Sequence, residues 1–226
     1  MKKSESKHNV IPFPTTAASA INKGNNADGI STAKENVIYQ LKITLQYIKP
    51  PVWRRVLVPS NITFYKLHKI IQAAFGWQDY HLFEYDFGDI KVNIPDPDYT
   101  PGGPSGGKKE INAKKAKIDV LLTERRKCIY TYDFGDDWRH EIELEKVLPL
   151  KKGQKYPLCL DGAGHRPPED VGGFPGYQEF LRAIGDPKDP DHEHYLVWAE
   201  KDTGGRKFDP EYFYLSEINR ALAKIK

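Results

Sequence analysis

Apolar and polar residues alternate cleanly where the ordered part of the chain begins. Tyr39, Leu41, Ile43, Leu45 and Tyr47 alternate with Gln40, Lys42, Thr44 and Gln46, the period of a half-buried strand. Pro50-Pro51 ends it, and Val52 to Val58 reads as a second strand. The short connection predicts an antiparallel pair. Arg54 and Arg55 are neighbours on that strand, so they point to opposite faces and at least one is solvated or paired. The period then changes. Thr63 is a helix N-cap, Leu67, Ile70, Ile71 and Ala74 mark one helical face, and Gly76 stands where a terminating glycine belongs. His81 to Phe87 reads as a third strand. Strand, strand, helix, strand predicts an α+β fold with a β-grasp-like ββαβ start on an antiparallel or mixed sheet.

The stretch from Tyr130 to Leu144 predicts a central β-hairpin. Its turn is Phe134-Gly-Asp-Asp137, where Gly135 is free to take a positive φ and the two aspartates bond back to the backbone. Such a turn gathers Asp133, Asp136, Trp138 and His140. On the second strand Ile142 and Leu144 alternate with Glu141, Glu143 and Glu145, giving one buried and one acidic face. Residues 156–173 hold so much glycine and proline that they read as an irregular segment, with Cys159, Asp161, His165, Glu169 and Asp170 as ligand-type side chains. C-terminal helices follow. One carries Tyr177, Phe180, Leu181 and Ile184, a short one holds Trp198, and a last one starts at Asp209-Pro210-Glu211 and packs Leu215, Ile218, Leu222 and Ile225.

Composition refines this picture at the ends and in one loop. Residues 1–35 are rich in Lys, Ser, Thr, Asn, Ala and Gly without a period, which predicts a disordered arm ahead of a single domain at 36–226. The prolines around Ile11-Pro-Phe-Pro14 make a short docking peptide the alternative. Residues 88–107 are dense in proline and glycine and read as a long surface loop. Lys108 to Lys127 is the most basic stretch of the body, read as a solvated helix or turn, or else as a patch contacting a protein or nucleic acid. The formal charge of +3 is carried by residues 1–34, where five lysines face two acids. The rest carries 29 basic and 29 acidic side chains (34 − 5 and 31 − 2), so the body is no bulk polycation. No apolar run approaches a membrane span and no secretory signal stands at the start. With two cysteines and no disulfide framework, the reading is a cytoplasmic protein with free thiols.

Several of these stretches resemble a known family. Pro51-Val-Trp-Arg-Arg55, Ala74-Phe-Gly-Trp77 with His81-Leu82, Tyr132-Asp-Phe-Gly-Asp-Asp-Trp-Arg-His140, Pro167-Pro-Glu-Asp-Val-Gly-Gly173 and Phe208-Asp-Pro-Glu211 with Ile218-Asn219 are similar to the plasmid pRiA ORF-three-like family, also labelled insertion-sequence passenger TnpR. The resemblance runs from about Tyr39 to the C-terminus. It implies a single α+β domain found on plasmids, transposable elements and chromosomes, with no activity assigned. No serine-recombinase pattern accompanies the TnpR label.

The chemistry these residues support divides into two classes. As a binding module, the turn, the 167–173 loop and the aromatics form a recognition surface for a protein or nucleic acid. As a metal-dependent hydrolase, His140, Cys159 and His165 supply metal ligands for zinc or another divalent ion, and Asp133, Asp136, Glu169 and Asp170 act as catalytic carboxylates. The bland alternative is that the aspartates cap the turn, Cys159 is a small buried apolar group, and Glu169 and Asp170 bond loop amides or cap a helix. Trp138, His81 and Arg54 are further cleft candidates, with His81 either a core histidine or a residue facing the hairpin turn. The tryptophans read as core.

Overall fold

The computed structural model describes residues 37–95 and 108–225. The predicted arm and the loop residues 96–107 lie outside this range. The framework is one eight-stranded mixed sheet with five helices, an α+β fold.

Strand β1 (Val37–Leu45) buries Leu41, Ile43 and Leu45 and pairs antiparallel with β2 (Trp53–Pro59). Helix α1 (Phe64–Phe75) follows, opened by the Thr63 hydroxyl accepting from the Lys66 amide at 3.1 Å and closed by Gly76 at φ +84°. Its face of Phe64, Leu67, Ile70, Ile71 and Ala74 is essentially inaccessible. Each of the larger side chains contributes roughly 1.5–3 kcal/mol by leaving water. The opening order is therefore strand, strand, helix, strand, with β3 at Phe83–Asp86.

Beyond β3 come β4 (Ile90–Asn93), β5 (Lys109–Asn112), helix α2 (Asp119–Arg125), β6 (Lys127–Tyr132), β7 (Trp138–Pro149) and β8 (Leu158–Ala163). In space the order is β5-β4-β3-β6-β7-β1-β2-β8, with β4 and β5 parallel and the other pairs antiparallel. The third strand pairs with β6, so the central hairpin stands between it and the opening pair. Helices α3 (Gly173–Gly185), α4 (His192–Asp202) and α5 (Leu215–Leu222) complete the chain.

Three details depart from the sequence reading. The stretch read as a loop from Gly88 contains β4, and the basic stretch after it contains β5 and α2. Several of its cations pair with acids: Lys108 with Asp86, Arg125 with Asp89, and Lys127 with Glu141 and Glu143. Within the irregular segment, residues 158–163 form β8 at the sheet's edge, where one side of the strand needs no ladder partner. Asp209-Pro210-Glu211 is a turn closed by the Asp209 side chain on the Glu211 amide, and α5 begins four residues later. The local Asx bond there competes with helix initiation.

Arg54 is nine-tenths buried and Arg55 lies on the opposite face, paired bidentately with Glu145 at 2.7 and 2.9 Å. Among the described residues no helix is long and apolar enough to cross a membrane.

Candidate functional site

The hairpin turn joins Tyr132 to Trp138 across five residues. Its left-handed positions are Asp133 and Asp137, at φ +58° and +57°, rather than Gly135. Aspartate tolerates that region because its short side chain bonds locally. Asp133 Oδ1 accepts from the amides of Gly135 and Asp136 at 2.8 and 3.3 Å, which leaves Oδ2 outside the turn's own bonds.

The turn is docked onto the loop before α3. Asp136 Oδ2 accepts from the Gly172 amide at 3.2 Å, and a Cβ on Gly173 would meet the Asp136 carbonyl at 2.7 Å. Only glycine permits that approach, and the close contact sets Asp133 beside Glu169 and Asp170. A third segment, 77–81, arrives from the end of α1. The Gln78 amide donates to Glu169 Oε1 at 2.6 Å, and the Tyr80 amide donates to the Tyr132 hydroxyl at 3.0 Å. That hydroxyl donates in turn to Glu169 Oε1 at 3.3 Å. Beneath, Asp79 is bonded through Oδ1 to His68 Nε2 at 2.6 Å and through its amide to Gln72.

The three segments bring four side chains to one point. His81 Nε2 lies 3.2 Å from Asp170 Oδ1, 3.6 Å from Asp133 Oδ2 and 3.9 Å from Glu169 Oε2. Among the described residues, His81 Nε2 and Glu169 Oε2 are buried atoms without a hydrogen bond. Glu169 is 5% exposed and Asp170 about two-thirds exposed, so the cluster is closed at one end and open at the other. Burial raises the Glu169 carboxyl above its ordinary pKa, against the opposing pull of the Gln78 amide and Arg166. Arg166 is itself buried against Asp202 at 2.9 Å and lies over the Trp77 ring. His81, Asp133 and Asp170 form a group of metal-ligand type whose donor atoms lie within 4.8 Å of one another.

A cleft of about 480 Å³ opens beside His81, lined by Tyr65, Leu82, Phe83, Lys91, Lys114 and Phe134 among others. Leu82 and Phe134 are more than half exposed at its rim.

The other sequence candidates lie elsewhere. His140 is fully buried among Phe75, Trp77 and Tyr130. Its Nδ1 donates to the Trp138 carbonyl at 3.0 Å and its Nε2 accepts from the Trp77 indole at 3.3 Å, so both ring nitrogens are occupied. Burial lowers its pKa to about 4 and keeps it neutral. Cys159 is buried in β8, its amide and carbonyl clasped by the Asn219 side chain and its thiol pKa raised by burial. His165 bonds the Arg166 carbonyl at 2.7 Å and is held neutral, with its pKa lowered to about 4 by burial. His140, Cys159 and His165 do not converge on each other or on the carboxylates. Trp138 packs between Trp77 and Tyr177, and Arg54 binds four carbonyl oxygens. Sequence reasoning missed the supporting residues Gln78, Tyr132, Arg166 and Asp202. No local pattern marks them, because each acts on a residue at least 33 positions away.

Comparison with known proteins agrees with this fold. The family described as plasmid pRiA4b ORF-3-like protein matches residues 37–217. The uncharacterized protein y4hQ of Sinorhizobium fredii is 37% identical over 187 residues, spanning 82% of this chain and 90% of that protein. A crystal structure of a protein of unknown function from Methanosarcina mazei Go1 superposes with a TM-score of 0.70 at 37% identity, over 81% of this chain and 97% of the other. With the hairpin, the 167–173 loop and the 77–81 segment all inside the matched range, the chain belongs to the plasmid pRiA4b ORF-3-like family.

Proposed function

We propose that the chain holds one divalent metal ion on His81, Asp133, Glu169 and Asp170 and uses it to activate water against a substrate seated in the adjoining cleft. The observation that carries this reading is that His81 Nε2 faces three carboxyl groups within 3.2 to 3.9 Å, while both that nitrogen and Glu169 Oε2 are buried without a hydrogen bond among the described residues. A buried polar atom left without a bond costs about 1–3 kcal/mol, and a cation would satisfy both at once. Metal–ligand bonds of about 2.0–2.2 Å put neighbouring donors about 3–3.5 Å apart. The spacings of 3.2 to 3.9 Å around His81 Nε2 need only small adjustments to reach that geometry.

One nitrogen and three oxygens suit zinc, manganese or iron, and three carboxyl groups beside an imidazole offer the donors that a divalent ion takes. The exposed side at Asp170 leaves room for water, as catalytic sites require. A divalent ion held there would supply Lewis-acid activation of a coordinated water, and the open side at Asp170 would admit that water. The exposed rim residues Leu82 and Phe134 favour a second reading: a recognition module in which the same cleft receives an apolar side chain of a protein partner.

The test is titration of chelator-stripped protein with Zn²⁺ and Mn²⁺ by calorimetry, beside elemental analysis. One equivalent in wild type and in His140→Ala, lost in His81→Ala and in Glu169→Gln, is the expected result. Equal binding in all four proteins, or binding in none, sinks the metal site. Metal-dependent cleavage of p-nitrophenyl esters or phosphodiesters that disappears in His81→Ala distinguishes hydrolase from recognition module.

A further inference from the structure

A second cavity lies on another part of the molecule, between the C-terminal end of α1, residues 164–165 and the segment 206–214 that leads into α5. It has a volume of about 190 Å³, room for roughly six water molecules at their liquid volume. Two arginines, a histidine, two tyrosines and one glutamate stand in its wall: Arg54, Arg206, His165, Tyr212, Tyr214 and Glu217.

The charges of this wall do not balance. Arg54 is 3% exposed, and its guanidinium is bonded only to carbonyls: Ala74, Trp53, Ala163 and Gly164, at 2.8 to 2.9 Å. Phe75 and Phe213 cover its two sides at 4.9 and 5.1 Å. Phe213 reaches this position because Gly162 has no Cβ, which would stand 2.6 Å from the ring. Arg206 lies 3.4 Å over the Tyr212 ring and donates through Nη2 to His165 Nε2 at 3.1 Å. Its Nη1 is buried and bonded to nothing among the described residues. His165 is neutral, because its Nδ1 proton is given to the Arg166 carbonyl while Nε2 accepts from Arg206. The single carboxylate of the wall, Glu217, accepts from the Tyr212 hydroxyl at 2.6 Å and pairs with neither arginine.

Buried guanidinium groups ordinarily face a carboxylate, since an unpaired buried charge is costly. Here the buried guanidinium of Arg54 and the half-buried one of Arg206, whose Nη1 is buried, share a cavity whose wall carries a net positive charge. The carbonyl end of α1 would repel an anion, but it is already capped: Ala74 gives its oxygen to Arg54 and Gly76 gives its oxygen to Arg166. We propose that this cavity binds a compact oxyanion, a carboxylate or phosphate group, with Arg206 as the direct donor and Arg54 as a fixed positive charge behind it. Guanidinium suits both groups, because its donors match their paired oxygens. The proposal is independent of the metal site.

The experiment uses full-length protein in chelator, so the metal site is silent. Calorimetry and thermal melts are run with inorganic phosphate and with acetate, against sodium chloride at the same ionic strength. Saturable binding of one equivalent is expected for at least one of the two anions. Preference for phosphate assigns a phosphoryl ligand; preference for acetate assigns a carboxylate such as a chain terminus. Arg206→Gln should weaken binding about tenfold or more, and Glu169→Gln should leave it unchanged. Glu217→Gln keeps the fold testable if the arginine variant unfolds: removing the local negative charge should tighten binding a fewfold, which a purely structural role would not do. Phosphate, acetate and chloride giving equal melts, or Arg206→Gln binding like wild type, overturns the proposal.

Discussion

The turn of the central hairpin and the first residues of β7 beyond it carry similar residue types in opposite situations. Within β7, His140 is sealed in an aromatic nest with both ring nitrogens bonded. At the turn, His81 faces Asp133, Glu169 and Asp170, and Glu169 Oε2 has no hydrogen bond among the described residues. Burial alone therefore does not mark a site. Hydrogen bonding separates the two places: both ring nitrogens of His140 are bonded, whereas Glu169 Oε2 beside the turn has no hydrogen bond among the described residues. His140 is the more obvious metal ligand by sequence, inside the densest motif, and the structure uses it to hold Trp77 and Trp138.

The comparison breaks most easily at its shared support. Arg166 is buried against Asp202 and rests on Trp77, so Arg166→Met leaves a buried carboxylate without its cation. A loss of about 3–5 kcal/mol in urea unfolding is expected, with the cradle and the nest failing together. His140→Ala comes next. It empties a packed position and strips the Trp77 indole of its acceptor, costing about 2–4 kcal/mol, while metal stoichiometry stays intact. A fall in metal binding larger than the loss of folded protein would erase the distinction between the two places.

Glu169→Gln should act in the opposite direction in chelator. The Glu169 pKa is raised by burial, so the native state holds that proton more tightly than the unfolded chain. The unfolded chain sheds it near pH 4.3. Native stability is consequently lost as pH rises from that value through the raised native pKa, and the glutamine variant is exempt. The melting temperature of Glu169→Gln minus that of wild type should grow with pH across the weakly acidic range. A flat difference would show that the carboxylate is not strained by its burial.

The buried histidines give the opposite pH dependence. His68, His140 and His165 all have pKa values lowered to about 4, by burial first. Their contribution is complete above about pH 6.5, the unfolded value, and is lost as pH falls toward 4. Stability against urea should decline over that window, less steeply in His140→Ala. The smallest effect belongs to a position outside both places. Thr63→Ala removes the α1 cap and should cost about 1 kcal/mol, with metal binding unaltered.

The sequence by itself determined the elements whose signal is local. Alternation in β1, the capped helix α1, the hairpin around Phe134-Gly135 and the helical spacing of α3 follow from periodicity and caps over a dozen residues, and each stands where the pattern puts it. Family membership is equally legible, because the motifs are contiguous. The acidic half of the site, Asp133, Glu169 and Asp170, was visible as chemistry-bearing residues without a geometry. Only tertiary structure decided which histidine stands beside them. In one dimension His140 is the metal-ligand candidate, and His81 reads as a core histidine or a residue facing the turn. The Gly173 contact with Asp136 and the Gln78 bond to Glu169 draw the 77–81 segment, the turn and the 167–173 loop together, while the aromatic packing of Phe75 and Trp77 encloses His140. Strand order was likewise undecidable locally, since β3 pairs with β6 across more than forty residues of chain. Such long-range pairings are selected by how the whole core fills, a property of no single segment.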